Sequence, residues 1–383
     1  MYQIGDEITI EPSELVAGGE ALARVDGFPI FTANVYPGDL ATVRLTEVKK
    51  GFARGELLRL ERTSPLRRAE PCPIADECGG CDWTALRLDA QLRAKERILR
   101  ESLRRIGKID PASLPPIAVH PSPLNYRLRS RLHQEGEAIG FYAMRSHRVV
   151  PLARECEVVG VETARVIPSE ARDLGGWAAR ENPHPGPSLD ARDDIELWEV
   201  DGRVVTSTEV TIEGYVVSTE AFFQVNRHLL GTMLHRVSEL TMKGHLAIDL
   251  YAGVGFFSRP LAGLFDRVIS VEGSAVAHEC AKRNVPANVE LVRAPVEAWV
   301  ERMPRADLVF LDPPRSGTRR NVIEAVAKKA RSMICFLACD PVTFARDASR
   351  LIASGWRLST LDLLDLFPNT HHVETLSSFT RAE

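Results

Sequence analysis

Cys339 closes the apolar run MICFLAC (333–339) and is followed at once by Asp340 and Pro341. Asp then Pro is the signature of a helix N-cap and first turn, so this thiol is expected at a strand tip in front of a helix N-terminus, where the dipole favours a thiolate. Cys335, inside the same run, and Cys280, inside the helical stretch AVAHECAKRN, read instead as packed, inert thiols. A second strand-like run, ADLVFL, leads into Asp312-Pro313-Pro314-Arg315-Ser316-Gly317. Two prolines fix an extended backbone there and hold an acid at the strand tip, a pair that is hard to explain as structure alone. The C-terminal run FPNTHHVE (367–374) adds Glu374. It is a candidate general base, although taken alone it reads as a solvated residue of an exposed turn.

Two further groups of residues bear on cofactors. HLAIDL ends in Leu250-Tyr251-Ala252-Gly253-Val254-Gly255, a glycine turn that lets a ligand approach the backbone, and the next strand, RVISVE, ends in Glu272. The turn is not GxGxxG, so a pyrophosphate cradle is poorly supported. An acid at that spacing suits a ribose, and S-adenosylmethionine is the phosphate-free nucleoside cofactor that fits. The chain also has seven cysteines, an odd number, in a sequence whose start, MYQIGDEITIEPSEL, carries no secretory signal. A disulfide framework is not expected. Cys72, Cys78, Cys81 and Cys156 form an all-thiol set suited to a soft metal centre, with zinc and iron–sulfur both fitting the spacing.

These residues must be held by elements. The 383-residue chain is 44% hydrophobic and 26% charged, which excludes wholesale disorder, and no apolar run approaches the ~20 residues of a membrane helix. The cytoplasm is the expected compartment. Residues 1–62 read as short strands in a small OB-like β-barrel, with turns at Asp26-Gly27 and Pro37-Gly38-Asp39. Residues 63–214 read as a central module holding the four cysteines. It includes a helix from about Leu86 to Ile106, with Leu92, Leu99, Leu103 and Ile106 on one face, and a Pro-, Gly- and charge-rich excursion over 168–194. Residues 215–383 alternate strand and helix, which implies an α/β domain with a parallel sheet covered on both faces. Ligands of such sheets sit at the carboxyl ends of the strands, where Cys339, Asp312, Glu272 and the glycine turn all fall. Formal net charge is −4, yet residues 87–108 carry eight Lys/Arg against three acids and residues 126–148 five Arg against two acids. That concentration is what a phosphate-tracking patch would show, with solvated helix faces as the alternative.

Taken together, these motifs resemble the S-adenosylmethionine-dependent RNA uracil-C5 methyltransferases with an iron–sulfur cluster, the bacterial 23S rRNA and tRNA 5-methyluridine enzymes, over nearly the whole chain. The resemblance implies a class I methyltransferase sheet, an RNA-binding TRAM domain at the N-terminus, and a [4Fe-4S] cluster on Cys72, Cys78, Cys81 and Cys156. It places Cys339 as nucleophile, Glu374 as proton-abstracting base, and Gln224 (in FFQVN), Tyr251, Gly253, Glu272 and Asp312 at cofactor or base-pocket positions. It implies RNA as partner, 23S rRNA ahead of tRNA, with no membrane and no obligate protein partner. Ala338 and Asp340 depart from the commoner Ser and Asn beside the nucleophile, Phe256 replaces a polar residue, and the 168–194 excursion has no counterpart. The competing expectations are an exocyclic-amine N-methyltransferase, which needs no cysteine, and a non-catalytic RNA-binding protein with a structural metal.

Overall fold

The computed structural model describes residues 2–167 and 194–382. The excursion read over 168–194 lies outside the described residues, apart from Asp194, which opens a strand. The chain forms two compact units, each assembled from separated stretches: Met1–Ile98, Arg129–Glu199 and Phe367–His372 in the first; Leu99–Leu128, Val200–Leu366 and Val373–Glu383 in the second.

In the first unit, β1 (Glu7–Ile10), β2 (Glu14–Leu15), β3 (Ala21–Val25), β4 (Phe28–Thr32), β5 (Leu40–Val48) and β6 (Ala53–Arg62) make one sheet in the order β1-β5-β6-β4-β3-β2. Alternation sets its inner face: Val43 and Leu45 of β5 are buried on either side of exposed Arg44. The turn expected at Asp26-Gly27 joins β3 to β4 with positive φ at both residues, as a tight hairpin demands. The turn at Gly38 is locked by Asp39, which is fully buried, accepts from the backbone N–H groups of Tyr36 and Ser64, and pairs with Arg67. Only the two-residue β2 was absent from the expected set of strands.

The unit also carries β8 (Arg129–Glu135), β9 (Ala138–Tyr142), β10 (Val149–Pro151) and β11 (Asp194–Val200), side by side as β10-β9-β8-β11 with antiparallel neighbours. A helix, Leu88–Arg105, follows the cysteine loop. Its buried face differs from expectation. Leu99 and Leu103 are buried, but Ile106 is half exposed and Gln91 and Lys95 are fully buried. Polar groups hold that position because they are hydrogen-bonded. Gln91 donates to the carbonyls of Trp83 and Leu86, and the Lys95 ammonium donates to the carbonyl of Phe367. The helix cations are also less available than their count suggests. Arg87 and Arg93 pair with Asp89, Arg104 and Arg105 with Glu101, and Arg97 with Glu14.

The second unit is built on an eight-stranded sheet in the order β17-β16-β15-β18-β19-β21-β20-β7. Its strands are β7 (Ile117–His120), β15 (Gly244–Leu250), β16 (Phe265–Glu272), β17 (Val289–Arg293), β18 (Ala306–Leu311), β19 (Ala330–Ala338), β20 (Trp356–Leu364) and β21 (Glu374–Arg381). A short strand β12 (Arg203–Val205) and a hairpin of β13 (Glu209–Ile212) and β14 (Tyr215–Ser218) precede it. The runs HLAIDL, RVISVE, ADLVFL and MICFLA are the four central parallel strands, and Ala275–Asn284 and Arg320–Lys329 are helices as expected. The expectation of an all-parallel sheet is corrected: β21 runs antiparallel to both β19 and β20. The reason is the connection. Nine residues, 365–373, join β20 to β21, fewer than the dozen or more a parallel crossover needs. The sheet also recruits β7 from far upstream, parallel to β20.

Candidate active site and cysteine centre

The carboxyl ends of β15, β16, β18 and β19 bring the chemical residues of the second unit to one edge. At the end of β15 the chain turns through Tyr251, Gly253 and Gly255, all with positive φ. Gly255 is required: a Cβ there would lie 2.6 Å from Val285 Cγ1. The Gly253 N–H donates to Glu272 Oε2 at 2.8 Å and the Ser274 N–H to Glu272 Oε1 at 2.6 Å. The carboxylate at the tip of β16 is thereby fixed from both sides. Tyr251 donates its hydroxyl to Glu297 at 3.0 Å, and burial together with that neighbouring charge pushes its phenol far above the usual range.

Asp312 stands directly after β18, its backbone N–H on the carbonyl of Leu250. Gln224, nearly buried, donates to Asp312 Oδ2 at 3.2 Å. Desolvation, with the nearby charge of Asp249 adding, pushes the Asp312 carboxyl up to about 8. Asp249, the fully buried last-but-one residue of β15, is likewise pushed up to about 7 by burial. Its Oδ2 takes the Ser258 hydroxyl. In the sequence Asp249 opens the run Asp249-Leu250-Tyr251-Ala252-Gly253-Val254-Gly255 at the strand end, but that run by itself gives the acid no role. Arg315, quoted earlier only as part of the Pro-Pro loop, contributes the opposing positive charge felt by Cys339 and Glu374.

The decisive pair comes from strand register. Ala338 of β19 lies opposite Thr375 of β21, so the next residue on one strand, Cys339, faces the preceding residue on the other, Glu374. Glu374 is buried (4% exposed), not the solvated turn residue it resembles in isolation. Asp340 caps the helix Pro341–Ala353 by accepting from the Thr343 N–H at 2.7 Å, with Pro341 in the first turn, as expected. The expectation that the helix end leaves Cys339 a ready thiolate is corrected. Burial pushes the thiol up to about 12, and the charges of Glu374 and Asp312 add to that against Arg315. Glu374 itself is raised well above the carboxylate range, first by burial and then by Asp312. Desolvation and two adjacent acids outweigh one helix dipole. Phe223 packs into an aromatic cluster with Tyr215 and Phe256, whereas Phe222 is exposed beside it.

In the first unit, Cys72, Cys78, Cys81 and Cys156 line one cavity, with Phe141, Leu152 and Val158 in its wall. The Gly80 N–H donates to Cys78 Sγ at 3.4 Å. Burial pushes the Cys72 thiol up to about 11, with Cys156 and Cys78 as electrostatic neighbours. Among the described residues, no three His, Cys, Asp or Glu side chains converge as a site for one metal ion. The four cysteine sulfurs and the backbone N–H on Cys78 Sγ are donors of the kind a soft metal centre takes, without choosing among such centres.

Residues 207–381 match the tRNA (uracil-5-)-methyltransferase family and residues 3–58 match the TRAM domain. An uncharacterized RNA methyltransferase of Corynebacterium efficiens is 31% identical, over 98% of this chain and 95% of its own length. Another from Thermosynechococcus vestitus is 30% identical over 99% of both.

The chain belongs to the tRNA (uracil-5-)-methyltransferase family.

It is an S-adenosylmethionine-dependent RNA methyltransferase with an N-terminal TRAM domain. A solved structure, the Pyrococcus abyssi tRNA (uracil-54, C5)-methyltransferase in complex with S-adenosyl-L-homocysteine, is similar with a TM-score of 0.71 at 25% identity, covering 97% of this chain and 99% of that one. Among the described residues of this methyltransferase, no helix is long and apolar enough to cross a membrane.

Proposed function

We propose that this methyltransferase transfers a methyl group to C5 of a uridine in RNA through a covalent bond between Cys339 and C6. The observation that carries this reading is the cross-strand placement of Cys339 beside Glu374, with Asp312 bonded to Gln224 on the neighbouring strand tip. C5 of uracil is a weak nucleophile. Addition of Cys339 Sγ to C6 makes C5 enolate-like and able to take a methyl group. Glu374 then takes the C5 proton, the C6–Sγ bond breaks, and C5=C6 re-forms as the sulfur leaves. S-adenosylmethionine supplies the methyl group, with the glycine turn at Gly253, Tyr251 and Glu272 as its holding residues. Gln224 and Asp312 hold the base. Asp312, pushed up to about 8, is protonated at neutral pH and can donate to a uracil carbonyl. Because burial raises the Cys339 thiol, its S–H bond must break and its proton pass to solvent before Sγ bonds C6, and that loss is part of the activation cost. The target base must leave its stack to reach the pocket, at a cost of a few kcal/mol.

The four cysteines of the first unit hold a [4Fe-4S] cluster in this reading. The reaction needs no electron transfer, so the cluster shapes the module around it. The 1–62 sheet and the central module are the RNA-holding parts and 215–383 the catalytic part. The RNA expected from the sequence is 23S rRNA ahead of tRNA. The Pyrococcus abyssi relative acts on a tRNA uridine, so both RNAs enter the test.

The test is a covalent trap. Fluorine at C5 cannot leave as a proton, so 5-fluorouridine-substituted rRNA or tRNA should stall with protein and S-adenosylmethionine as a methylated adduct. A shifted gel band that requires both Cys339 and S-adenosylmethionine is the expected result, and the RNA that gives it is the substrate. Methyl transfer with no band, undiminished in Cys339→Ala, would replace this reading with exocyclic-amine methylation.

A further inference from the structure

The segment that delivers Glu374 does not belong to the catalytic unit. The chain leaves that unit after Leu366, spends Phe367–His372 within the cysteine-bearing unit, and returns at Val373, one residue ahead of Glu374. Six residues of loop are held there by bonds out of proportion to their number. Asn369, fully buried and with φ of +66°, is the centre. Its N–H donates to Gln91 Oε1 at 2.8 Å, and its Oδ1 accepts from Gln91 Nε2 and Arg68 Nη2, each at 3.0 Å. Its Nδ2 donates to Glu157 Oε2 at 2.9 Å, and its carbonyl accepts from the N–H groups of Asp82 and Trp83. On either side, Lys95 holds the carbonyl of Phe367, and Asp82 accepts from the His371 N–H.

Two of these partners adjoin cavity cysteines in sequence: Asp82 follows Cys81 and Glu157 follows Cys156. Asn369 itself lines the four-cysteine cavity. A side chain chosen only to make a turn would not need three side-chain partners, Gln91, Arg68 and Glu157, from three separate stretches of chain.

We propose that Asn369 is a positioning residue that ties the cysteine centre to the general base, fixing where the strand bearing Glu374 begins. The proposal rests on the uracil-C5 reading above. It predicts a specific failure. Where the anchor is lost, Cys339 can still add to C6 and C5 can still be methylated, because neither step uses Glu374. Removal of the C5 proton, with breakage of the C6–Sγ bond and return of the pair to sulfur, then slows. The methylated protein–RNA adduct accumulates on ordinary uridine RNA, with no fluorine needed. Misplacement of a catalytic group by about 1 Å costs on the order of a hundredfold, and that is the expected fall in turnover.

The experiment compares Asn369→Gly, which tolerates the positive φ but removes the side chain, with Gln91→Ala, which removes a partner 278 residues away. Glu374→Gln is the reference. Each full-length protein is mixed with S-adenosylmethionine and unmodified RNA, and methylated adduct and released product are quantified on a denaturing gel. Adduct build-up in all three variants, with product release slowed about a hundredfold, is the expected result. Adduct in Glu374→Gln alone, while both anchor variants turn over normally or lose adduct and product together, would overturn the positioning role. No adduct in Glu374→Gln would instead overturn the assignment of the base, and the two failures are thereby separate.

Discussion

Cys339 sits among groups that all resist charge. Its thiol is pushed up to about 12 and Asp312 up to about 8, while Glu374 is raised well above its ordinary value. Burial thus disfavours the charged form of all three, with Arg315 as the opposing positive charge at Cys339 and Glu374. The proposed mechanism needs Cys339 without its proton at attack and Glu374 without its proton at elimination. Both populations grow as pH rises, so the two requirements push the rate in the same direction. Under single-turnover conditions, adduct formation on 5-fluorouridine RNA should climb by about tenfold per pH unit from about pH 6, because the thiolate fraction grows that fast well below the thiol's own value, and should flatten once Asp312, pushed up to about 8, loses the proton it donates to the base. A rate maximum below pH 7 would mean that a preformed thiolate attacks and that the burial cost is not expressed. At this scale the motifs were legible in the chain, since a strand tip, a Pro-Pro pair and a cap are local patterns. What was not legible is the sign of the Cys339 shift. The helix dipole is written in Asp340-Pro341, but the acids that outweigh it come from Asp312 and Glu374, 27 residues before and 35 after.

Elements decide which of those local patterns meet. Cys339 and Glu374 are neighbours because β19 and β21 pair antiparallel in one register, and a slip by one residue would turn Glu374 to the opposite face. No periodicity within SSFT or MICFLA announces that pairing; β21 went unread because Glu374-Thr375-Leu376-Ser377-Ser378 lacks the apolar alternation of its neighbours, being buried on both faces. The Leu88–Arg105 helix was readable in place but not in facing, since Gln91 and Lys95 bury through bonds to remote carbonyls. The proposed nucleophile adjoins one further element, the helix Pro341–Ala353, whose cap is the residue next to Cys339. Asp340→Ala removes the acceptor of the Thr343 N–H and should cost about 1 kcal/mol of stability. Asp340→Asn, the residue commoner in the family at this place, caps equally well and should keep the wild-type urea midpoint. Equal loss in both variants would show that the Asp340 charge, not the cap, is what the helix needs.

At the scale of the molecule, the two units are each stitched from distant stretches, which is why contiguous boundaries drawn along the chain cannot describe them. The first unit closes on Phe367–His372, a segment that no composition shift marks as foreign to the residues around it. Its cysteines are equally scattered: Cys72, Cys78 and Cys81 lie on one loop and Cys156 lies 75 residues further on, past β8, β9 and β10. A group bound by all four would therefore bridge that whole excursion in the native state and have no counterpart in the unfolded chain, so its binding energy adds to folding. Cys156→Ser should then do two things together. It should remove the visible absorbance of an iron–sulfur chromophore from the purified protein, and it should lower the thermal midpoint. Cys280→Ala, in a buried helical thiol outside the cavity, should leave the absorbance intact. Iron and sulfide assays on the same preparations separate a cluster from zinc: a colourless wild type that holds zinc, with a midpoint still sensitive to Cys156, would keep the stapling role and replace the group. Because Asn369 shares the wall of that cavity, the positioning role proposed above has the same loss appear as stalled adduct on ordinary uridine RNA.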